Sequence, residues 1–407
     1  STQSGPEIDS SAVPEQRLTA ARYDAIGDSI TYGEPIGFKV DGQGRPLKVA
    51  TTFQGWPAIL GQMLAEKTGE QTEVFNKGHA GDRVRRSHAE RLPGFLDDDS
   101  KSDQALLLIG TNDSHDFSPT PSGLGCEQLG SCDGTYKSLM ELVIEDLKAA
   151  GREMIYVGML PPTWGTKPGD PYPDPLNLAE SPRIARIVEY NQVITKSLMS
   201  MPGVRPGPDF FSCFLSPTAN RFSLFRDTLH PNKLGYVFMA ALWRDAILND
   251  HREEKVGPCT APIYVLESLD SYRHGHKQDL LEAKDPYYTD ESFTLTNIPD
   301  ELANGIWVLQ ANADKSNDEP DFLAFDVGPI PVTVYIAYDP SGKPPNSASH
   351  SFEDVKLGSA LAVSDPAVGA FATAKAVGVT GTVVIGGNQT GNDSVSPQQG
   401  YLVVVVP

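Results

Sequence analysis

Cleavage of an acyl bond by side chains alone needs a nucleophile, a base to take its proton, a group to orient the base, and donors for the developing oxyanion. This chain offers a nucleophile in Tyr23-Asp-Ala-Ile-Gly-Asp-Ser-Ile-Thr-Tyr-Gly33, where Ser29 follows a short apolar run and a glycine. The run Tyr23–Ile26 reads as a buried strand, and Gly27-Asp28-Ser29 reads as a tight turn at its carboxyl end. Open α/β sheets place their chemistry at that end of a strand. The competing reading is that Ser29 only caps the next helix, which serine does well. Of the eight histidines, His230 has the strongest context, in Arg226-Asp-Thr-Leu-His-Pro-Asn-Lys-Leu-Gly235. Asp227 precedes it by three residues, so one turn of chain can bring the carboxylate against one ring nitrogen and leave the other for Ser29. In that arrangement serine attacks, histidine takes the proton, and aspartate fixes the tautomer. Taken alone, the Asp-x-x-His pair reads more readily as a solvated segment. Two further segments offer oxyanion donors: the backbone N–H of Gly81 in Asn76-Lys-Gly-His-Ala-Gly-Asp82, and the side-chain amide of Asn112 in Gly110-Thr-Asn-Asp113. Each could instead serve a cap or a turn; together, in this order and each at a strand end, they favour chemistry.

Elements able to hold these residues alternate along the first part of the chain. Trp56–Thr68 has apolar residues at helical spacing, and Thr72–Asn76 is a short strand candidate. Ala105–Ile109 is a continuous apolar run of the kind a fully covered parallel strand shows. Helix patterns at Tyr136–Ala150, Ile184–Met199 and Leu234–Asn249 and a strand at Met154–Met159 complete the alternation, which predicts a parallel sheet covered on both faces. Two long segments interrupt it, Ser114–Thr135 and the proline-rich Pro161–Pro182; either could wall a pocket or be a surface insertion. Beyond about residue 257 the pattern changes. One helical pattern, Ser271–Lys284, is followed by short strand candidates punctuated by Gly, Pro, Asn and Asp, the signature of an all-β sandwich. The expected organisation is a polar lead-in over 1–19, an α/β domain over 20–257, and a β-sandwich domain over 258–407.

Composition narrows the function classes. The 407 residues carry a net charge of −20, which argues against nucleic acid and anionic membranes as partners. No run of eighteen apolar residues is present, so no transmembrane segment is expected. The polar start Ser1–Gln16 reads as a processed terminus. Four cysteines, Cys126, Cys132, Cys213 and Cys259, lack zinc-site spacing. Pairing as Cys126–Cys132 and Cys213–Cys259 would suit a secreted or periplasmic protein, with four free thiols as the alternative.

The four blocks Gly27-Asp-Ser-Ile-Thr-Tyr-Gly33, Gly81, Gly110-Thr-Asn-Asp113 and Asp227-Thr-Leu-His230 together resemble the signature blocks of the SGNH/GDSL hydrolase family, over roughly residues 20–250. The resemblance implies a three-layer α/β/α fold and ester hydrolysis without a metal or other cofactor. It assigns Ser29 as nucleophile, Asp227 and His230 as the rest of the triad, and the Ser29 N–H, Gly81 N–H and Asn112 amide as the oxyanion hole. Gly78 competes with Gly81 for the second block; Gly81 is preferred because Asp82 and a short polar turn follow it. The C-terminal segment loosely resembles β-sandwich modules of secreted polysaccharide-degrading enzymes. Trp307, Tyr335 and Tyr338 could stack on sugars there, though core packing is the default expectation. The acidic run Asn312–Asp321 could hold a structural Ca²⁺, but its spacing does not fit an EF-hand and a solvated loop is the favoured reading. The expected function is a secreted serine esterase acting on a small-molecule or polysaccharide ester. A lipase or phospholipase-type enzyme is the first alternative, and a carbohydrate- or surface-binding protein with a vestigial hydrolase domain the second.

Overall fold

The apolar runs become buried strands at the centre of the first part of the molecule. The computed structural model describes residues 22–33, 35–40, 46–96, 102–115, 134–163, 182–215, 221–250, 257, 259, 266, 268–269, 274–303, 305–391 and 397–406. Strand β1 (Arg22–Gly27) runs into the four-residue helix α1 (Ser29–Tyr32). A hairpin of β2 (Pro35–Val40) and β3 (Pro46–Gln54) follows, then helix α2 (Gly55–Thr68) and β4 (Glu73–Gly78). Short helices α3 (Val84–Arg86) and α4 (Leu92–Leu96) precede β5 (Gln104–Leu108), every residue of which is buried. The chain continues through α5 (Tyr136–Ala149), β6 (Met154–Met159), α6 (Pro182–Lys196), β7 (Val204–Asp209), α7 (Phe210–Phe214) and α8 (Lys233–Asn249).

These strands form a parallel sheet in the order β4-β1-β5-β6-β7. From β1 the chain crosses to β4 on one side, whereas β5, β6 and β7 advance to the other. Right-handed crossovers in opposite directions put their helices on opposite faces. Trp56 of α2 stacks on Trp243 of α8 at 5.2 Å between ring centroids, and Tyr136 of α5 stacks on Tyr190 at the middle of α6 at 4.0 Å. The result is a three-layer α/β/α arrangement. The reversal of direction occurs at β1, so the crevice past the carboxyl ends of β4, β1 and β5 is where such a sheet offers a ligand site.

The C-terminal part is a curled antiparallel β-sandwich. Its strands are β8 (Lys277–Asp279), β9 (Leu295–Asn297), β10 (Ile306–Leu309), β11 (Leu323–Tyr338), β12 (Glu353–Asp354), β13 (Leu361–Val363), β14 (Ala370–Ile385) and β15 (Leu402–Val406). They run in the order β8-β10-β15-β11-β14-β13-β9, with β12 against β14. The expectation of a helix over 271–284 is corrected here: among its described residues, Lys277–Asp279 pair antiparallel with Trp307–Leu309 as a strand. Leu323–Val327 and Val332–Tyr338 belong to one strand, β11, whose register against β14 shifts between Val327 and Val332. Trp307, Tyr335 and Tyr338 are buried as core residues. Around the acidic run, Asp290 accepts the Asn312 and Ala313 N–H groups, Asn317 accepts from Glu319 N, and Glu319 pairs with His274 at 3.0 Å. Among the described residues no group of three His, Cys, Asp or Glu side chains is arranged to hold a metal ion.

One apolar core runs through both parts: Leu224, Phe225 and Leu234 share a cluster with Leu266, Leu280 and Ile306. The Cys213–Cys259 disulfide forms, closing a loop of 46 residues, for which chain entropy predicts about 4 kcal/mol of stabilisation. The expected Cys126–Cys132 pairing lies outside the described residues, as does most of both proline- or glycine-rich segments. Among the described residues no helix is long and apolar enough to cross a membrane.

Candidate active site

Ser29 opens α1 directly after β1, and Asp28 caps that helix by accepting the Ile30 N–H at 3.0 Å. The cap aims the first turn away from the strand and leaves the Ser29 hydroxyl at the sheet's carboxyl edge. His230 and Asp227 arrive from a loop closed at its base by pairing of Phe225 with Pro231 and by the Arg226 N–H bonding to His230 O at 3.0 Å. Beyond the loop, Asn232 caps α8 by accepting from Gly235 N at 2.9 Å. The three-residue spacing thus works as a tight loop rather than as a helical turn.

The three side chains form a continuous relay. Ser29 Oγ lies 3.0 Å from His230 Nε2, and His230 Nδ1 lies 2.9 Å from Asp227 Oδ2. The other carboxylate oxygen accepts the N–H groups of Leu229 and His230 at 2.7 and 2.6 Å. Burial alone would raise the Asp227 pKa, but the His230 ring and these backbone donors outweigh it and bring it down to about 2. An ionised Asp227 holds the proton on Nδ1 and leaves Nε2 as acceptor for the serine hydroxyl. Arg226 adds a cation 3.6 Å from Asp227 Oδ2.

The candidate oxyanion donors lie on the segments that follow β4 and β5, the two neighbours of β1 in the sheet. Gly78 ends β4 packed so tightly that a Cβ would overlap the backbone of Tyr32. Gly81 lies in the exposed turn that follows, at φ +77°, with open space where a side chain would sit. Its glycine is therefore required by conformation rather than by crowding. Asn112, just past β5, donates from Nδ2 to the Asp82 carbonyl at 3.0 Å, which ties it to that turn; Asn112 Nδ2 carries a second hydrogen. Asp113 accepts the Val84 N–H at 3.2 Å on the same side. Of the five residues singled out from the sequence, Ser29 opens α1 just past β1, Gly81 and Asn112 follow β4 and β5, and Asp227 and His230 lie on a loop whose His230 reaches Ser29.

Three contributors were not foreseen. Arg226 adjoins Asp227 in sequence, and Asp113 adjoins Asn112, so both were within the motifs. Asp28 is fully buried; burial foremost, with Asp113 adding to it, pushes its carboxyl up to about 7 against the opposing Ile30 and Thr111 N–H groups and His230. A carboxyl whose folded pKa is raised binds more protons in the folded state, so it lowers stability as pH climbs from about 4 to about 7. Asp28→Asn, which keeps the oxygen that accepts Ile30 N–H, is expected to melt at higher temperature than the parent at pH 8. The difference should shrink toward pH 4. Thermal unfolding across that range checks it, and equal melting temperatures at pH 8 would contradict it.

A profile of the GDSL-like lipase/acylhydrolase family matches residues 25–238. Among solved structures, the chain is similar to a lipase/acylhydrolase from Enterococcus faecalis, with 19% identity, 58% of this chain and 99% of that one covered, and a TM-score of 0.35. It is similar to an acetyl xylan esterase from Geobacillus stearothermophilus, with 19% identity, 58% and 96% covered, and a TM-score of 0.37. A β-glucuronidase from glycoside hydrolase family 2 matches 32% of this chain at 21% identity and a TM-score of 0.28, and the chain covers only 13% of that protein. No curated protein matches the chain.

Proposed function

The chain belongs to the GDSL-like lipase/acylhydrolase family, and from that premise we propose that it is a serine esterase cleaving carboxylic esters through an acyl-enzyme on Ser29. The observation that carries this reading is the relay of 3.0 Å from Ser29 Oγ to His230 Nε2 and 2.9 Å from His230 Nδ1 to Asp227 Oδ2. His230 takes the Ser29 proton as Oγ bonds to the ester carbon. The tetrahedral oxyanion is held by the Ser29 and Gly81 N–H groups and the free hydrogen of the Asn112 amide. As the C–O bond breaks, the imidazolium protonates the departing alkoxide. A water then gives its proton to His230, attacks the acyl carbon, and releases the acid and the serine. Asn112→Ala should lower kcat about 10²–10³-fold with little change in KM, measured on a short p-nitrophenyl ester. Unchanged turnover would place the oxyanion donor elsewhere.

We assign small acyl groups, including those borne by a polysaccharide, as the preferred acyl part of the substrate. The side chains of His230 and Asp227 are 22% and 48% exposed, so the relay faces outward and can meet an acyl group projecting from a bulky alcohol. The Cys213–Cys259 disulfide supports work in an oxidising compartment outside the cytosol. A chain-length series of p-nitrophenyl esters, run beside acetylated xylan and pectin, tests the substrate. Fastest turnover on acetyl esters supports the assignment; fastest turnover on long-chain esters makes the protein a lipase instead.

A further inference from the structure

We propose that the β-sandwich supports the reaction by fixing the loop that carries Asp227 and His230, with Lys277 of β8 as the main positioning residue. The proposal rests on the esterase reading above.

Asp227 and His230 are held to each other by bonds within their own loop, so their distance from Ser29 is set by the stems of that loop. Both stems are tied to the segment 277–285. On the first stem, Lys277 Nζ donates to Phe225 O at 2.6 Å, and Gln278 Nε2 donates to Ser223 Oγ at 2.9 Å. On the second, Asn232 Nδ2 donates to Gln278 O at 2.8 Å, Leu234 N–H reaches Asp279 Oδ1 at 3.4 Å, and Lys233 pairs with Asp285 at 2.6 Å. Phe225 is two residues from Asp227 and Asn232 two residues from His230, so the Lys277 and Gln278 bonds act closest to the relay, one on each stem.

Stability alone is a poor reason for an amine at this place. Lys277 is 6% exposed, and its burial, only partly offset by Asp227 and Asp279, brings its pKa down to about 7. Burying an amine costs desolvation that largely offsets what its hydrogen bond contributes, so the net gain in stability from Lys277 is small. Its bond to the Phe225 carbonyl gives it a geometric task instead. A misplacement of the base by even about 1 Å can reduce turnover a hundredfold. A cavity of about 460 Å³, bordered by Phe225, Arg226, Lys233, Lys277 and Asp285, leaves room for a longer cation at position 277.

The test uses the full chain. Lys277→Met is expected to fold and melt within a few degrees of the parent, yet to lose about tenfold or more in kcat with KM changed less than about twofold. Lys277→Arg, which can still reach the Phe225 carbonyl, is expected to recover most of that loss. A folded Lys277→Met protein with parental kcat overturns the proposal, as does an Arg variant no better than the Met one. Native-state hydrogen exchange on the unmodified protein decides the matter even where a variant does not fold. The amides of Arg226 and Asn232 should open together with those of β8, with the same denaturant dependence. Loop amides that open independently of β8 overturn it. An unmodified protein without esterase activity defeats the esterase reading, while the exchange result still tells whether β8 holds the loop.

Discussion

Ser29→Ala is expected to abolish ester hydrolysis, with a loss of about 10⁶-fold in kcat, while the circular dichroism spectrum and melting temperature stay near those of the parent. The expectation follows from the position of the hydroxyl. It is the only part of Ser29 that the substitution removes, and it is bonded to His230 Nε2 at 3.0 Å rather than to the backbone of α1. The capping of α1 belongs to Asp28, whose carboxylate accepts the Ile30 N–H, so the helix does not depend on the serine side chain. An alanine at 29 therefore leaves the cap, the buried neighbours Ile30 and Thr31, and the β1 pairing in place. If Ser29 were only a cap, the variant would lose stability and keep activity. The two outcomes are opposite, and steady-state kinetics with a melting curve separates them.

Asp227→Asn should lower kcat about 10⁴-fold. The carboxylate does three things at once: one oxygen receives the His230 Nδ1 proton, and the other receives the N–H groups of Leu229 and His230. Asparagine can keep the backbone bonds through its carbonyl oxygen but presents an NH₂ group to the imidazole, favouring the wrong tautomer. Nε2 would then carry the proton and could not accept one from Ser29. The sign of the pH effect follows from the depressed pKa of about 2. A carboxyl whose folded pKa lies below its unfolded value of 3.8 contributes stability at neutral pH, and that contribution is lost as pH falls through about 4 toward about 2. The parent should therefore lose more stability than Asp227→Asn between pH 5 and pH 2, as followed by thermal melts.

The site was legible because its chemistry sits in short local motifs at strand ends. Ser29 and Asn112 each follow a segment whose apolar pattern is unmistakable, at the carboxyl ends of neighbouring strands, and hydrogen bonds join Ser29 to the His230–Asp227 pair. Other elements left weaker traces. β7 contains Pro206, Gly207 and Pro208, residues that read against a strand, and they are tolerated because β7 lies at the edge of the sheet. The greater part of β14, Ala370–Gly381, is rich in alanine and glycine and has little apolar pattern; its strand state comes from pairing along β11. The helical pattern over 271–284 gave way to β8 for the same reason, long-range pairing overriding local propensity. The hydrogen bonds that join Lys277, Gln278 and Asp279 with the 223–234 segment left no mark in the sequence at all. They join residues about fifty apart in the chain, and only packing reveals them.

The identity of the nucleophile is open to a direct measurement. Incubation of the full chain with a fluorophosphonate, followed by peptide mass mapping, should place a single stoichiometric adduct on Ser29. Labelling should fall by orders of magnitude in a His230→Ala variant, because the serine then lacks its base. Ester hydrolysis that proceeds with Ser29 unlabelled, or an adduct on another residue, would contradict Ser29 as the nucleophile.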